Sequence, residues 1–230
     1  MKHVRTILGL LLVFVLVSCG GGGGGNGSGI TIGSGSGSGS QTLLTISLSG
    51  DYFAVPATDA DFNASGTGGV TTGLVQSTLG PNGFPRVTAK ASDPTTRIFD
   101  VDVNSEIQWW TTNHPGVTKD VSAKSDPLPF TFDNFFPTGQ TSDLTLMRTA
   151  HWKGPLTAPK TGSLIFSGSA DDDLWVFMDG VLVIDNGGVK GFQTPVAQTV
   201  PITAGAHTLD IFYADRSQNK ATLALAIVEQ

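Results

Sequence analysis

From Gly162 to the C-terminus, apolar and polar residues alternate in short runs broken by turn residues. That is the period of strands, not of helices. Gly162–Ser167 predicts one strand, and Leu174–Met178 and Val181–Ile184 predict two more. Only Asp179 and Gly180 separate the last two, a pair that tolerates positive φ at both positions and so predicts a type I′ hairpin. Within Leu174–Met178, Trp175 and Phe177 alternate with Leu174, Val176 and Met178, so both faces are apolar and the strand is expected at the centre of a sheet. Val196–Ile202, His207–Tyr213 and Ala221–Val228 continue the series, with a turn at Ala204-Gly205-Ala206. In the last strand Leu223, Leu225 and Ile227 should face the core, and Ala224 and Ala226 should face away. The first half is less regular. Leu43–Leu48, Phe99–Val103, Ile107–Trp110 and Phe130–Phe132 predict strands, Asn63–Gly73 and Thr111–Pro129 predict long loops, and a short helix near Asp59 or Asp133 is an option. No stretch sustains a 3.6-residue period. The pattern predicts an all-β, antiparallel β-sandwich with long loops, formed as a single domain over residues 41–230.

Residues 1–40 read differently. Lys2 and Arg5 precede an apolar run, Ile7–Val17, interrupted only by Gly9. It is too short for the roughly 20 residues that cross a bilayer as a helix, and it fits a signal peptide over residues 1–18. The run ends in Leu16-Val17-Ser18-Cys19, which resembles the lipobox of bacterial lipoproteins. The resemblance implies cleavage before Cys19 and a lipid anchor on that residue, with several acyl chains giving stable membrane attachment. Gly20 in place of Asp after the Cys favours the outer membrane of the bacterial cell envelope. The alternative is an ordinary secretory signal with Cys19 at its border. Residues 19–40 hold 12 glycines, including Gly20–Gly25 and four Gly-Ser repeats from Gly33. Such a segment has too little apolar side chain to offset ordering entropy and should be a disordered tether spanning about 25 Å.

Composition narrows the function classes. The 230 residues include 17 Asp but only Glu106 and Glu229 as glutamates, which suits turns better than helices. A single Cys excludes a disulfide framework and a Cys-based zinc site. The formal charge of -6, with no basic clusters, argues against nucleic acid as a partner.

The densest chemistry is Ser169-Ala170-Asp171-Asp172-Asp173, at the entrance to the predicted central strand. Three successive carboxylates repel one another, with Lys190 as the only nearby cation in sequence. A hard cation would neutralise them, and oxygen-only ligation points to Ca²⁺. Successive side chains of an extended chain face opposite ways, so for Asp171 and Asp172 to grip one ion the intervening peptide must leave strand geometry. A cis peptide would do this. The bland alternative is a solvated Asp-rich turn.

The stretch Ser169-Ala170-Asp171-Asp172-Asp173-Leu174-Trp175-Val176-Phe177-Met178-Asp179-Gly180-Val181-Leu182-Val183-Ile184-Asp185 resembles the signature of the PA14 superfamily, most closely its fibro-slime branch. Thr72-Gly73-Leu74-Val75, Trp110 with His114-Pro115-Gly116-Val117, Asn134-Phe135-Phe136-Pro137, His151-Trp152, Gly187-Gly188-Val189 and Leu209-Asp210-Ile211-Phe212-Tyr213-Ala214-Asp215-Arg216 support it in order. The resemblance covers roughly Pro56 to Val228. It implies a β-sandwich whose sugar-binding members hold Ca²⁺ through two adjacent aspartates joined by a cis peptide, here Asp171 and Asp172. It also implies a second calcium loop after the penultimate strand, beginning at Asp215, with backbone carbonyls near Ser217 and Asn219 as further metal ligands. Vicinal hydroxyls of a glycan or polysaccharide would complete the shell, with Asp171, Asp172 and Asp173 lining the ligand site. Fibro-slime relatives usually read Asp-Leu-Gly-Gly-Val-His after the hairpin, where this chain has Asp185-Asn186-Gly187-Gly188-Val189-Lys190.

Other candidates are weaker. His151 beside Trp152 reads as a hydrogen-bonded structural histidine, and no Gly-x-Ser-x-Gly elbow or helical His pair appears. Trp109, Trp110 and Trp152 could stack on a sugar but read more naturally as core. The sequence thus predicts no catalytic residues. It predicts a lipid-anchored cell-surface module that binds carbohydrate with Ca²⁺. The alternative is a structural surface or matrix protein whose acidic turn, with or without Ca²⁺, only braces the fold.

Overall fold

The structure, a computed structural model, describes residues 31–32, 41–62, 68–92, 96, 98–133, 146–193, 195–217 and 221–230. Its strands, in chain order, are β1 (Thr31–Ile32), β2 (Gln41–Leu43), β3 (Ser47–Pro56), β4 (Val75–Leu79), β5 (Pro85–Val87), β6 (Thr118–Pro127) and β7 (Phe130–Asp133). They continue as β8 (Leu146–Ala158), β9 (Gly162–Asp171), β10 (Asp173–Met178), β11 (Val181–Asn186), β12 (Val196–Ile202), β13 (Gly205–Asp215) and β14 (Thr222–Glu229). All pairings between them are antiparallel, and they make two sheets. The smaller runs β1-β2-β14-β9-β12, with β7 also on β14; the larger runs β5-β4-β11-β10-β13-β8-β3-β6.

The larger sheet is covered on both faces. Toward the smaller sheet, Leu48, Tyr52, Trp152, Leu174, Val176 and Ile211 pack with Phe166, Leu223, Leu225 and Ile227 in one cluster. On the other face, Phe53, Val55, Trp175, Phe177 and Phe212 pack with Phe62, Leu74, Ile98, Ile107, Trp109 and Trp110 from the loops of the first half. Burying each such large side chain is worth about 1.5–3 kcal/mol, so the loop layer is a second core. This explains the five apolar residues on both faces of β10, which are all buried, as is Asp173 at its start.

The predicted strands of the second half are present, most extended by one to four residues at their ends; Val196–Ile202 matches β12, and Ala221–Val228 is displaced by one residue to Thr222–Glu229. Asp179 and Gly180 both have positive φ, 51° and 74°, as the hairpin requires. Leu223, Leu225 and Ile227 are buried while Ala224 and Ala226 are half-buried. The three tryptophans Trp109, Trp110 and Trp152 are core residues.

The first half corrects several expectations. Phe99–Val103 and Ile107–Trp110 are not strands; only the bridges Val101–Ile107 and Arg86–Glu106 form there. Side chains capture the backbone instead: Asp102 Oδ1 accepts from Asn104 N and Glu106 N, and Glu106 Oε1 from Asn82 N and Phe84 N. The expected loop Thr111–Pro129 contains β6, an edge strand that is polar on both faces and therefore lacks an alternating signal. β8 carries Gly154-Pro155, which disguised it. Pro155 is tolerated because β3 pairs with β8 only as far as Lys153, leaving β13 as the sole partner beyond. Near Asp59 there is a turn, not a helix, and Asp133 ends β7; a 3₁₀ turn occurs at Ala89–Ser92. Within the tether, Thr31–Ile32 pairs with Thr42 and Gln41, a departure from coil where β-branched residues interrupt the Gly/Ser run. The signal peptide, Cys19, the rest of the tether, Asn63 and the Asn134–Pro137 motif lie outside the described residues.

Candidate functional site

Two chain crossings between the sheets create the acidic site. β9 belongs to the smaller sheet and ends at Asp171, opposite Thr222 of β14. β10 belongs to the larger sheet and begins at Asp173, opposite Ala214 of β13. The chain therefore changes sheets at Asp171–Asp172, and that peptide bond is cis. β13 ends at Asp215 in the larger sheet and the chain returns to the smaller one at Thr222, so a second crossing lies beside the first. Asp172 N donates to Ala214 O at 3.1 Å, fastening the two together. Carboxylate oxygens of Asp171, Asp172 and Asp215 consequently lie within 4.8 Å of one another.

All three residues are buried, with Asp171 the most accessible at 8 %. Asp172 is held by two backbone amides: Lys190 N donates to Oδ1 at 2.6 Å, and Arg216 N to Oδ2 at 2.7 Å. Asp171 Oδ1 and Asp215 Oδ1 are buried and accept no hydrogen bond among the described residues. Burial, then the negative charge of Asp172, pushes the Asp171 carboxyl up to about 7. Burial, then the charge of Asp173, raises Asp172. Asp215 is also raised by burial and by the charges of Asp172 and Asp171.

Asp173 faces the other way. It is fully buried; its Oδ1 accepts from Gly188 N and its Oδ2 faces Arg216 Nη1 at 3.4 Å. It braces the turn from behind and presents no oxygen to a ligand. Lys190, the expected local cation, is buried, and its Nζ donates to the carbonyls of Asp172 and Asn186. Burial lowers its pKa, while the charges of Asp173, Asp172 and Asp171 pull it back up. Ser217 donates its backbone N–H to Asp215. Asn219 lies outside the described residues.

Sequence reading placed Arg216 in a supporting motif but assigned it no role. Its guanidinium is fully buried over the Trp109 ring at 4.9 Å, with Nε donating to Asp61 O and Nη2 to Thr96 O, both at 2.9 Å. Four carboxylates (Asp171, Asp172, Asp173, Asp215) thus meet two cations (Lys190, Arg216), leaving a charge of about −2 when all are ionised. Two orphaned carboxylate oxygens, oxygen-only donors and that residual charge fit one divalent cation.

A second group went unseen because its members are far apart in sequence. Asp59, Asp100 and His114 also bring ligand-type atoms within 4.8 Å, with His114 Nε2 3.0 Å from Asp59 Oδ2. Asp59 is bonded to the histidine, while Asp100 Oδ2 lies 3.8 Å from His114 Nε2 and, though buried, accepts no hydrogen bond among the described residues. His151 is bonded to Asp210 at 2.9 Å and stacked on Phe212, the structural role expected.

Fold and site together define an antiparallel β-sandwich with a metal-competent acidic turn at its sheet crossings. A PA14 domain is found over residues 146–228, spanning β8 to β14 and the acidic turn. The chain is similar to two Dictyostelium discoideum proteins: psiQ, 27% identical over 205 residues, and psiR, 29% identical over 195 residues. Those alignments cover 76% and 72% of this chain but 20% and 19% of the relatives, so the chain spans about a fifth of their length. Among solved structures it is similar to a PA14 sugar-binding domain from an RTX adhesin, at 19% identity and a TM-score of 0.37, over 80% of this chain and 90% of that one.

Proposed function

We propose that this protein is a lipid-anchored module of the bacterial cell envelope that binds carbohydrate through Ca²⁺ held by Asp171, Asp172 and Asp215, serving adhesion or matrix attachment. The carrying observation is the pair of buried, unpartnered oxygens, Asp171 Oδ1 and Asp215 Oδ1, beside the doubly anchored Asp172. Leaving such groups unsatisfied costs about 1–3 kcal/mol each, more when charged. One Ca²⁺ ion removes that cost. Backbone carbonyls near Ser217 and Asn219 add ligands, and two vicinal sugar hydroxyls fill the 6–8 oxygen shell that Ca²⁺ takes. The PA14 match supports a binding module rather than an enzyme. Cys19 carries the anchor, and the outer membrane is its favoured site.

Calcium titration calorimetry of the protein and of Asp172→Ala tests the metal assignment. The variant should lose calcium binding; an unchanged affinity would sink the assignment. A glycan array read with and without chelator then separates a sugar-binding site from a calcium brace. In the brace reading, chelation lowers the melting temperature and alters no binding. Palmitate-analogue labelling that persists in Cys19→Ser would refute the anchor.

A further inference from the structure

The loop between β11 and β12 is bonded to the acidic turn at Asp172 and Ser169 and carries one large exposed apolar side chain that neither core uses. Phe192 is 41% exposed and belongs to neither hydrophobic cluster. Its position is nonetheless fixed on both sides. Lys190 N donates to Asp172 Oδ1 at 2.6 Å on one shoulder. On the other, Ser169 Oγ donates to Gln193 O at 2.7 Å and accepts from Gln193 N at 3.3 Å. Gln193 Nε2 further donates to Gly68 O at 3.0 Å. Two residues of chain span at most about 7 Å, so the Phe192 backbone lies within one side-chain length of the residue bonded to Asp172. A Cβ built at Gly191 would meet nothing within 4 Å, so the chain is open to solvent at the residue before Phe192. By contrast, the exposed Val181 sits at the far end of β10 from Asp173, about 17–20 Å away.

An exposed aromatic ring on a loop bonded to a polar, oxygen-lined site would supply what a cation does not: a flat apolar surface for the C–H face of a pyranose. We propose that Phe192 is the stacking platform of the carbohydrate site, selecting sugars that present vicinal hydroxyls at one edge and an uninterrupted C–H face beside it. This rests on the calcium–carbohydrate reading above. Because the loop is anchored at Lys190 and Gln193 before any ligand arrives, the ring needs little ordering on binding. Fully hydroxylated faces, and linear polyols that lack a ring, should be rejected.

The test uses the full chain, Phe192→Ala and Phe192→Trp, each titrated with Ca²⁺ by calorimetry and each read in calcium on an array of mono- and oligosaccharides bearing vicinal hydroxyls. The expected result is unchanged calcium affinity in both variants, a loss of about tenfold or more in glycan affinity for Phe192→Ala, and retention in Phe192→Trp. Glycan binding by Phe192→Ala equal to that of the parent would overturn the platform and leave the carbohydrate reading intact. Loss of calcium affinity in Phe192→Ala would also overturn it, since the ring would then be bracing the metal loop. A parent protein that binds Ca²⁺ but no glycan would bring down the carbohydrate reading itself, and the platform with it.

Discussion

Asp215→Asn separates metal binding from ordinary structural support, because the two make opposite predictions for its sign. The substitution keeps size and shape and removes one negative charge from a buried group of four carboxylates opposed by Lys190, Arg216 and, across the strand from Asp215, Arg148. Without metal, Asp215 is strained electrostatically: burial and the charges of Asp172 and Asp171 raise its pKa. The neutral amide relieves that repulsion and can donate to a neighbouring carboxylate. Chelated Asp215→Asn should therefore be more stable than the chelated parent by about 1–3 kcal/mol, the scale of one buried unsatisfied group. With Ca²⁺ at about 100 times its dissociation constant, the parent gains about 2.7 kcal/mol by mass action. At about 2–4 °C per kcal/mol for a chain of this size, that is a rise of about 5–11 °C. The variant, lacking a ligand and part of the charge, should gain almost nothing. Calorimetric or fluorescence melts in chelator and in calcium read all four values. A lower melting point for chelated Asp215→Asn, or a calcium increment equal to the parent's, would refute the reasoning.

Burial pushes the Asp100 carboxyl up to about 8, with a hydrogen bond to Asp59 and the charges of Asp61 and Asp59 adding to it. A carboxyl raised in the fold contributes stability that is complete below about pH 4 and lost as pH rises through about 8. Urea midpoints should thus fall between about pH 5 and pH 8, and Asp100→Asn should flatten that slope; an equally steep decline in the variant would count against it. In the inter-sheet core, the Tyr52 hydroxyl donates to Asp126 Oδ2 at 2.6 Å, and Trp152 Nε1 donates to the same oxygen at 3.0 Å. Tyr52→Phe should cost about 1.5–3 kcal/mol in urea unfolding, toward the lower end because Trp152 and Lys124 remain. Gly188 has φ +104°, and a Cβ there would lie 2.8 Å from Thr71 Oγ1. Gly188→Ala should destabilise by about 1–3 kcal/mol and weaken calcium binding, since Gly188 N holds Asp173; unchanged calorimetry and melting would disprove the loop's bracing role.

How much of this was legible follows from where the information resides. β10 was legible because apolar residues on both faces leave no alternative to a central strand, and Asp179-Gly180 fixes its hairpin locally. Asp171, Asp172 and Asp215 were legible through a contiguous run and a resemblance, and the structure brings their carboxylates together. β6 was not legible, since an edge strand with polar residues on both faces carries no period. Asp59, Asp100 and His114 meet only through tertiary folding, as do Arg216 and Trp109. Asp173 was misjudged because three identical residues in a row look equivalent, whereas strand alternation sends it to the face of Trp175 and away from its neighbours.

That alternation also accounts for the division of labour among the carboxylates. Asp173 shares a face of β10 with Trp175 and Phe177, the face covered by the loop layer. Any group there must be neutralised from the loops' side, and Arg216 does so while its remaining nitrogens hold the carbonyls of Asp61 and Thr96. Asp61 in turn accepts the amides of Phe99 and Asp100 and the indole N–H of Trp109, so one guanidinium ties four distant segments to the sheet crossing. Its neighbour in the chain, Asp215, points into the acidic site instead. The second crossing therefore delivers a cation to one side and a carboxylate to the other. With Asp173 matched by Arg216, the remaining negative charge falls on Asp171, Asp172 and Asp215, offset in part by Lys190 beside the first two and Arg148 beside the third. On the proposed reading, that confinement, rather than the count of aspartates, is what suits the site to a divalent cation.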